Sequence, residues 1–322
     1  MPVLTRRIVM HAFQSILVDV DATAAAHPAF NVACDLAARF GARVTLVDVM
    51  PDLPPGPENI VVRRLERELS EQRVMALAAL ARSRPDVEIL STVLHGKPAI
   101  AIVQEVRRAN HDLVVRSHAR DLVPGRLYGA VDMQLLRTCP CPVWLIGPEA
   151  AAPSPYILAA VDTGSDAPGN DEMNRTIVDL ALTIGEARHA TVTVLHAWSL
   201  YGEELLRPRM GEQIHEMLEA VRKAAADGLA ALVRSFGERA VNARMECVKG
   251  DPRIVIPRYA ATQKVDLVVM GTVGRSGLAG FLTGNTAEAV LRELRGSVLA
   301  IKPPGFVTPV MLPEHVERSV GV

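Results

Sequence analysis

The chain has little cysteine, no surplus of either charge and no long uninterrupted apolar run. Only Cys34, Cys139, Cys141 and Cys247 occur in 322 residues. The spacing of Cys139-Pro-Cys141 fits neither a zinc knuckle nor a thioredoxin-type pair, so both are expected to be small buried residues ahead of a strand. Thirty-five basic residues face 36 acidic ones, for a net charge of −1. No global field therefore draws the protein to nucleic acid or anionic lipid, and no nucleic-acid partner is expected. No stretch is long and charge-free enough to span a bilayer. The first residues, Met1 to Gln14, mix basic and apolar side chains without a clean apolar core or a small-residue cleavage site. A cytoplasmic location is expected. His95, His111 and His118 make no helix-face pair and sit in no Cys/His cluster, which argues against a metal site. No Ser-His-Asp order or paired-carboxylate motif suggests a catalytic residue.

What the chain does have is a repeat. Its length suits about two domains, each able to bury a core. Ser15–Asp21 matches Tyr156–Asp162, an apolar strand ending in aspartate. Asp35–Ala42 matches Asp179–Ala187, a helix expected to end at Gly41 and at Gly185. Val44–Val49 matches Val192–Ala197, a second strand. His95-Gly-Lys-Pro98 matches Lys249-Gly-Asp-Pro252, and Asp112–Val115 matches Asp266–Val269. The second copy carries extra residues from Thr163 to Asn174 and before Met245. Boundaries follow at 1–147, a linker at 148–155, a second unit at 156–303 and an extended Pro-rich tail at 304–322. Each copy reads as strands alternating with helices, with long helical stretches over Glu58–Arg84 and Glu203–Phe236. The strands are continuous apolar runs, which implies two tandem α/β units, each a doubly wound parallel five-stranded sheet covered on both faces. Pro142–Ile146 and Ser297–Ile301 read as sheet edges able to pair and close an internal pseudo-dimer.

The most informative segment runs from Gly271 through Gly274 to Gly284-Asn285-Thr286. It follows the apolar strand Val265–Met270 and precedes the helical run Ala287–Arg295. A glycine-rich loop leading from a strand end to a helix start is where an α/β fold holds phosphate. Gly271 and Gly274 let backbone approach a ligand. Gly284, Asn285 and Thr286 fall where a helix offers unpaired N–H groups and its positive dipole end. The loop is neither a Walker A sequence nor a dinucleotide fingerprint. Val161-Asp162, His196-Ala197 and Met270-Gly271 end three strands and converge on the switch point where an open α/β sheet binds its ligand. Structural readings also exist. Asn285 and Glu288 fit a capping box, and Asp162 fits a turn that binds its own backbone. In the first copy Ser117 and Arg120 stand where Gly271 and Gly274 stand, and Gly129 is followed by Ala130-Val131-Asp132. Side chains there would crowd a phosphate path and Asp132 would repel the anion, so no nucleotide is expected and Asp21 reads as a remnant.

Gly-x2-Gly-x9-Gly followed by small polar residues, on a duplicated α/β unit, resembles the universal stress protein family from about Ser15 to Pro303. The resemblance implies an adenine nucleotide, ATP with or without Mg²⁺, in the second copy. Asp162 would then contact the adenosine part, with Val161 beside it, and backbone near Ala197 would meet the base. Met270, Gly271 and Gly274 would line ribose and phosphates; Gly284, Asn285 and Thr286 would hold the phosphates. Asn285 stands where ATP binders of the family carry Ser or Thr. An amide can still cap a helix and donate to phosphate. The expected role is a stress-response binding protein in which the nucleotide acts as signal or stabiliser, not an enzyme. The alternatives are a slow ATPase or nucleotidyl transferase, needing a carboxylate and Mg²⁺ at the γ-phosphate, or a scaffold for a metabolite, lipid or protein partner. A protein partner and a homodimer stay open.

Overall fold

A computed structural model describes residues 13–51, 60–117, 128–147, 155–272, 285–294 and 296–312, the side chains of 60–63 and 285 excepted. The first half runs β1 (Ser15–Asp19), α1 (Pro28–Phe40), β2 (Arg43–Met50), α2 (Ile60–Arg82), β3 (Ile89–His95), α3 (Pro98–Ala109), β4 (Leu113–Ser117), α4 (Ala130–Thr138) and β5 (Val143–Ile146). The second runs β6 (Tyr156–Val161), α5 (Asn170–Arg188), β7 (Thr191–Trp198), α6 (Glu203–Met210), α7 (Gln213–Arg234), β8 (Arg244–Lys249), α8 (Pro252–Thr262), β9 (Leu267–Gly271), α9 (Asn285–Glu293) and β10 (Ser297–Ile301).

The strands form one ten-stranded sheet in the order β3-β2-β1-β4-β5-β10-β9-β6-β7-β8. Each half is parallel throughout. The halves join where β5 and β10 pair antiparallel, with Leu299 opposite Trp144 and Val298 opposite Leu145. The expected edge pairing is therefore realised as a continuous seam. It also sets the two switch points at opposite ends of the sheet, because the strands of the two halves point opposite ways.

Successive strand residues bury on alternate faces, so apolar runs supply two cores at once. Ile16 and Val18 belong to a buried cluster that continues through residues of α1, α2, α5 and α7, while Leu17 belongs to one that continues through α3, α4, α8 and α9. Chain past β10 crosses to the first half. There Gln104 Nε2 donates to the Met311 carbonyl at 2.9 Å and Arg107 to that of Val310 at 2.5 Å.

Two expectations need correction. Helix α1 does end at Gly41, left-handed at φ 69°. Its counterpart α5 runs through Gly185 and is closed by His189 at φ 52°. Gly185 is a packing position: a Cβ there would lie 2.6 Å from Val192 Cγ2. The stretch Glu203–Phe236 is not one helix either. Gly211, at φ 54°, ends α6 before α7 begins.

Candidate functional site

Register brings the second copy's strand ends together. Ala160 of β6 lies opposite Met270 of β9, and Val161 lies opposite His196 of β7. Val161, Asp162, His196, Met270 and Gly271 thus stand on three adjacent strand ends, and Ala197 follows on β7 opposite Val248. Asp162 is fixed through its peptide groups. Its N–H donates to Asn174 Oδ1 at 3.0 Å, and its carbonyl accepts from Asn174 Nδ2 at 2.8 Å and Asn170 Nδ2 at 2.7 Å. Its carboxylate accepts the Gly164 N–H at 3.2 Å. The turn reading of Asp162 is therefore realised, and it keeps the half-buried carboxylate at the mouth of the strand ends.

His196 is one of the strand ends expected at the switch point, though no ligand contact is expected of its side chain. It is buried, with Nδ1 3.2 Å from the Val161 carbonyl and 3.4 Å from the Thr163 N–H. The tautomer decides which of the two it serves. Met173 escaped notice: a Cβ on Gly271 would lie 3.3 Å from its Sδ, so the Met173 side chain roofs that glycine. Thr286 is half-buried in the first turn of α9, and Ala287 beside it shares one buried cluster with Ala160 and Met270. Gly274, Gly284 and the side chain of Asn285 lie outside the described residues. Glu288, the other half of the expected capping box, bonds Arg137 of the first copy at 2.6 Å.

The first copy's switch point is built from charge. Arg116 at the end of β4 bridges Asp19 of β1 and Asp132 of α4, the latter at 2.8 Å. These positions correspond to Met270, Ala160 and Ala287 of the second copy, an apolar trio. Asp132 is 1% exposed and its Oδ2 accepts the Gly129 N–H at 2.9 Å. Its carboxylate sits at the α4 N-terminus and supplies from within the negative charge that a helix start favours. Ser117 Oγ takes the Ala29 N–H of α1 at 3.1 Å. Asp48, the counterpart of His196, pairs with Arg73 and accepts the Ala22 N–H at 2.9 Å. Asp21 is exposed and bonded to Thr23, whose hydroxyl and N–H hold its carboxyl below the usual range. Arg120 and His118 lie outside the described residues.

Sequence comparison bears on both halves. The sequence model of the Universal stress protein family matches residues 12–147 and again 156–302. The chain belongs to the universal stress protein family. It is 32% identical over 231 residues to universal stress protein E of Escherichia coli K12, covering 70% of this chain and 72% of that one. Against universal stress protein E of Salmonella typhi it is 30% identical over 319 residues, covering 95% and 99%. A crystal structure of a functionally unknown protein from Pseudomonas aeruginosa PAO1 superposes with TM-score 0.68 at 26% identity, covering 91% of this chain and 94% of that one. A universal stress protein from Archaeoglobus fulgidus, at 14% identity and TM-score 0.62 over 90% and 96%, shares the fold. Among the described residues of this universal stress protein, no helix is long and apolar enough to cross a membrane, and no group of three or more His, Cys, Asp or Glu could hold a metal.

Proposed function

We propose that this universal stress protein is a stress-response binding protein whose second copy takes one adenine nucleotide, ATP with or without Mg²⁺, while the first copy takes none. The observation that carries the reading is the contrast between the switch points. One is filled by the Asp19–Arg116–Asp132 ions. The other sets uncharged Ala160, Met270 and Ala287 beneath a helix start that follows a glycine-rich loop. On this reading the Asp162 carboxylate meets the adenosine part, beside Val161. Backbone at Ala197 meets the base. Met270, Gly271 and Gly274 line the path to the phosphates. Gly284, Asn285 and Thr286 bind them through the N–H groups and dipole of α9. The four cysteines are free thiols, which suits a reducing, ATP-holding cytoplasm.

Binding acts by linkage. A nucleotide held by the folded state alone at a hundred times its Kd stabilises that state by about 2.7 kcal/mol. Thermal denaturation with Mg-ATP tests this. The expected result is a rise in Tm that is lost in Gly274→Val, with the Tm of the unliganded variant unchanged. No rise in the parent protein overturns the reading. Multiple-turnover ADP release that disappears in Gly274→Ala would replace it with an ATPase.

A further inference from the structure

Cys139 and Cys141 take no part in either switch point, yet the fold holds them together. Their Sγ atoms lie 3.6 Å apart, both are free, and they are 0% and 9% exposed. Cys139 ends α4, its N–H bonded to the Leu135 carbonyl at 2.9 Å, and Cys141 precedes β5 with Pro140 fixing φ between them. The two thiols therefore sit side by side on rigid backbone, sharing one weak hydrogen bond. A third group stands close. Lys302, at the end of β10, donates to the Leu136 carbonyl of α4 and couples electrostatically to Cys139.

We propose that Cys139 and Cys141 form a vicinal-dithiol site that captures a compact trivalent thiophilic centre, the arsenical class. Two observations, with the chemistry of the arsenical itself, select this class. Among the described residues the two thiols have no third carboxylate, imidazole or thiol with which to complete a tetrahedral zinc site. The hydrogen bond shared with Cys139, and then burial, hold the Cys141 thiol well above its usual pKa, so it is protonated and a poor nucleophile toward peroxide, which needs thiolate. A neutral arsenical needs no net ionisation. Arsenous acid condenses as As(OH)3 + 2 RSH → (RS)2As–OH + 2 H2O. Two As–S bonds form, two As–O bonds break, each leaving oxygen takes a thiol proton, and no redox change occurs.

Phenylarsine oxide tests the site on the intact, reduced protein. The reaction PhAs=O + 2 RSH → PhAs(SR)2 + H2O gives a single adduct visible by intact mass. Peptide mapping is expected to place it on the segment holding both Cys139 and Cys141. Cys34 and Cys247 serve as single-thiol controls in the same molecule. The adduct should be stripped by a small dithiol and resist a monothiol. Cys139→Ser and Cys141→Ser should each lose it. Because these variants alter a buried position, mapping of the parent protein decides if either fails to fold. Absence of the adduct from the parent, its mapping to Cys34 or Cys247, or its release by a monothiol overturns the proposal.

Discussion

Arg116 separates the two copies. Its guanidinium answers two buried carboxylates, so removing it alone takes the shared cation from both Asp19 and Asp132. Arg116→Met should cost about 3–5 kcal/mol, the usual penalty for breaking one side of a buried ion group. Replacing all three by the second copy's own set, Asp19→Ala with Arg116→Met and Asp132→Ala, should restore stability to within about 2 kcal/mol of the parent, since a packed apolar set often matches a buried ion group. Urea unfolding measures both. A triple variant as damaged as the single one would contradict the equivalence of the sites. Lys302 offers a pH test. Its burial lowers it to about 8 from an ordinary 10.5. Below pH 8 it is charged whether the chain is folded or not, and the folded state carries the desolvation cost in full. Between pH 8 and 10.5 the unfolded chain binds the extra proton, so this residue's contribution to stability rises with pH. Lys302→Met should therefore be the more stable protein at pH 7, with its advantage shrinking across that window. An advantage constant with pH would contradict the assignment.

Elements were more legible than the residues that lock them. Strands β1, β4, β6 and β9 are visible as apolar runs because both their faces are buried. The Asp19–Arg116–Asp132 ions were not, because each charge sits at an element end where a lone charge reads as solvated; only superposing the repeats pairs them. Gly185 misled for a related reason. A glycine near a predicted helix end reads as a stop, whereas here it admits Val192 from β7. Gly185→Ala should lose about 1–3 kcal/mol through overpacking, despite the better helix propensity of alanine. Adding Val192→Ala should relieve the overlap, so the double variant is less damaged than the sum of the singles, measured by thermal unfolding and a double-mutant cycle. Strict additivity would place the strain elsewhere. The split of α6 from α7 was hidden by charged, helix-favouring residues on both sides of Gly211.

The whole molecule is a single sheet because β5 and β10 hydrogen-bond across the seam. Trp144 is buried there opposite Leu299. The duplication was legible end to end, and so was the pairing of the two edges, since both are short apolar runs without a charge to guard them. With Trp198→Phe leaving Trp144 as the remaining tryptophan, seam fluorescence and far-UV ellipticity should report one coincident unfolding transition. Two separated transitions would mean that the halves fold independently. The duplication also sharpens the proposal: one switch point holds the Asp19–Arg116–Asp132 ions, and the other is the one proposed to take the nucleotide. Titration calorimetry of Mg-ATP into the intact chain tests that most directly. The account predicts one nucleotide per chain, lost in Gly284→Asp and retained in the Asp19→Ala, Arg116→Met, Asp132→Ala variant. Two nucleotides per chain, or binding that survives Gly284→Asp, would contradict it.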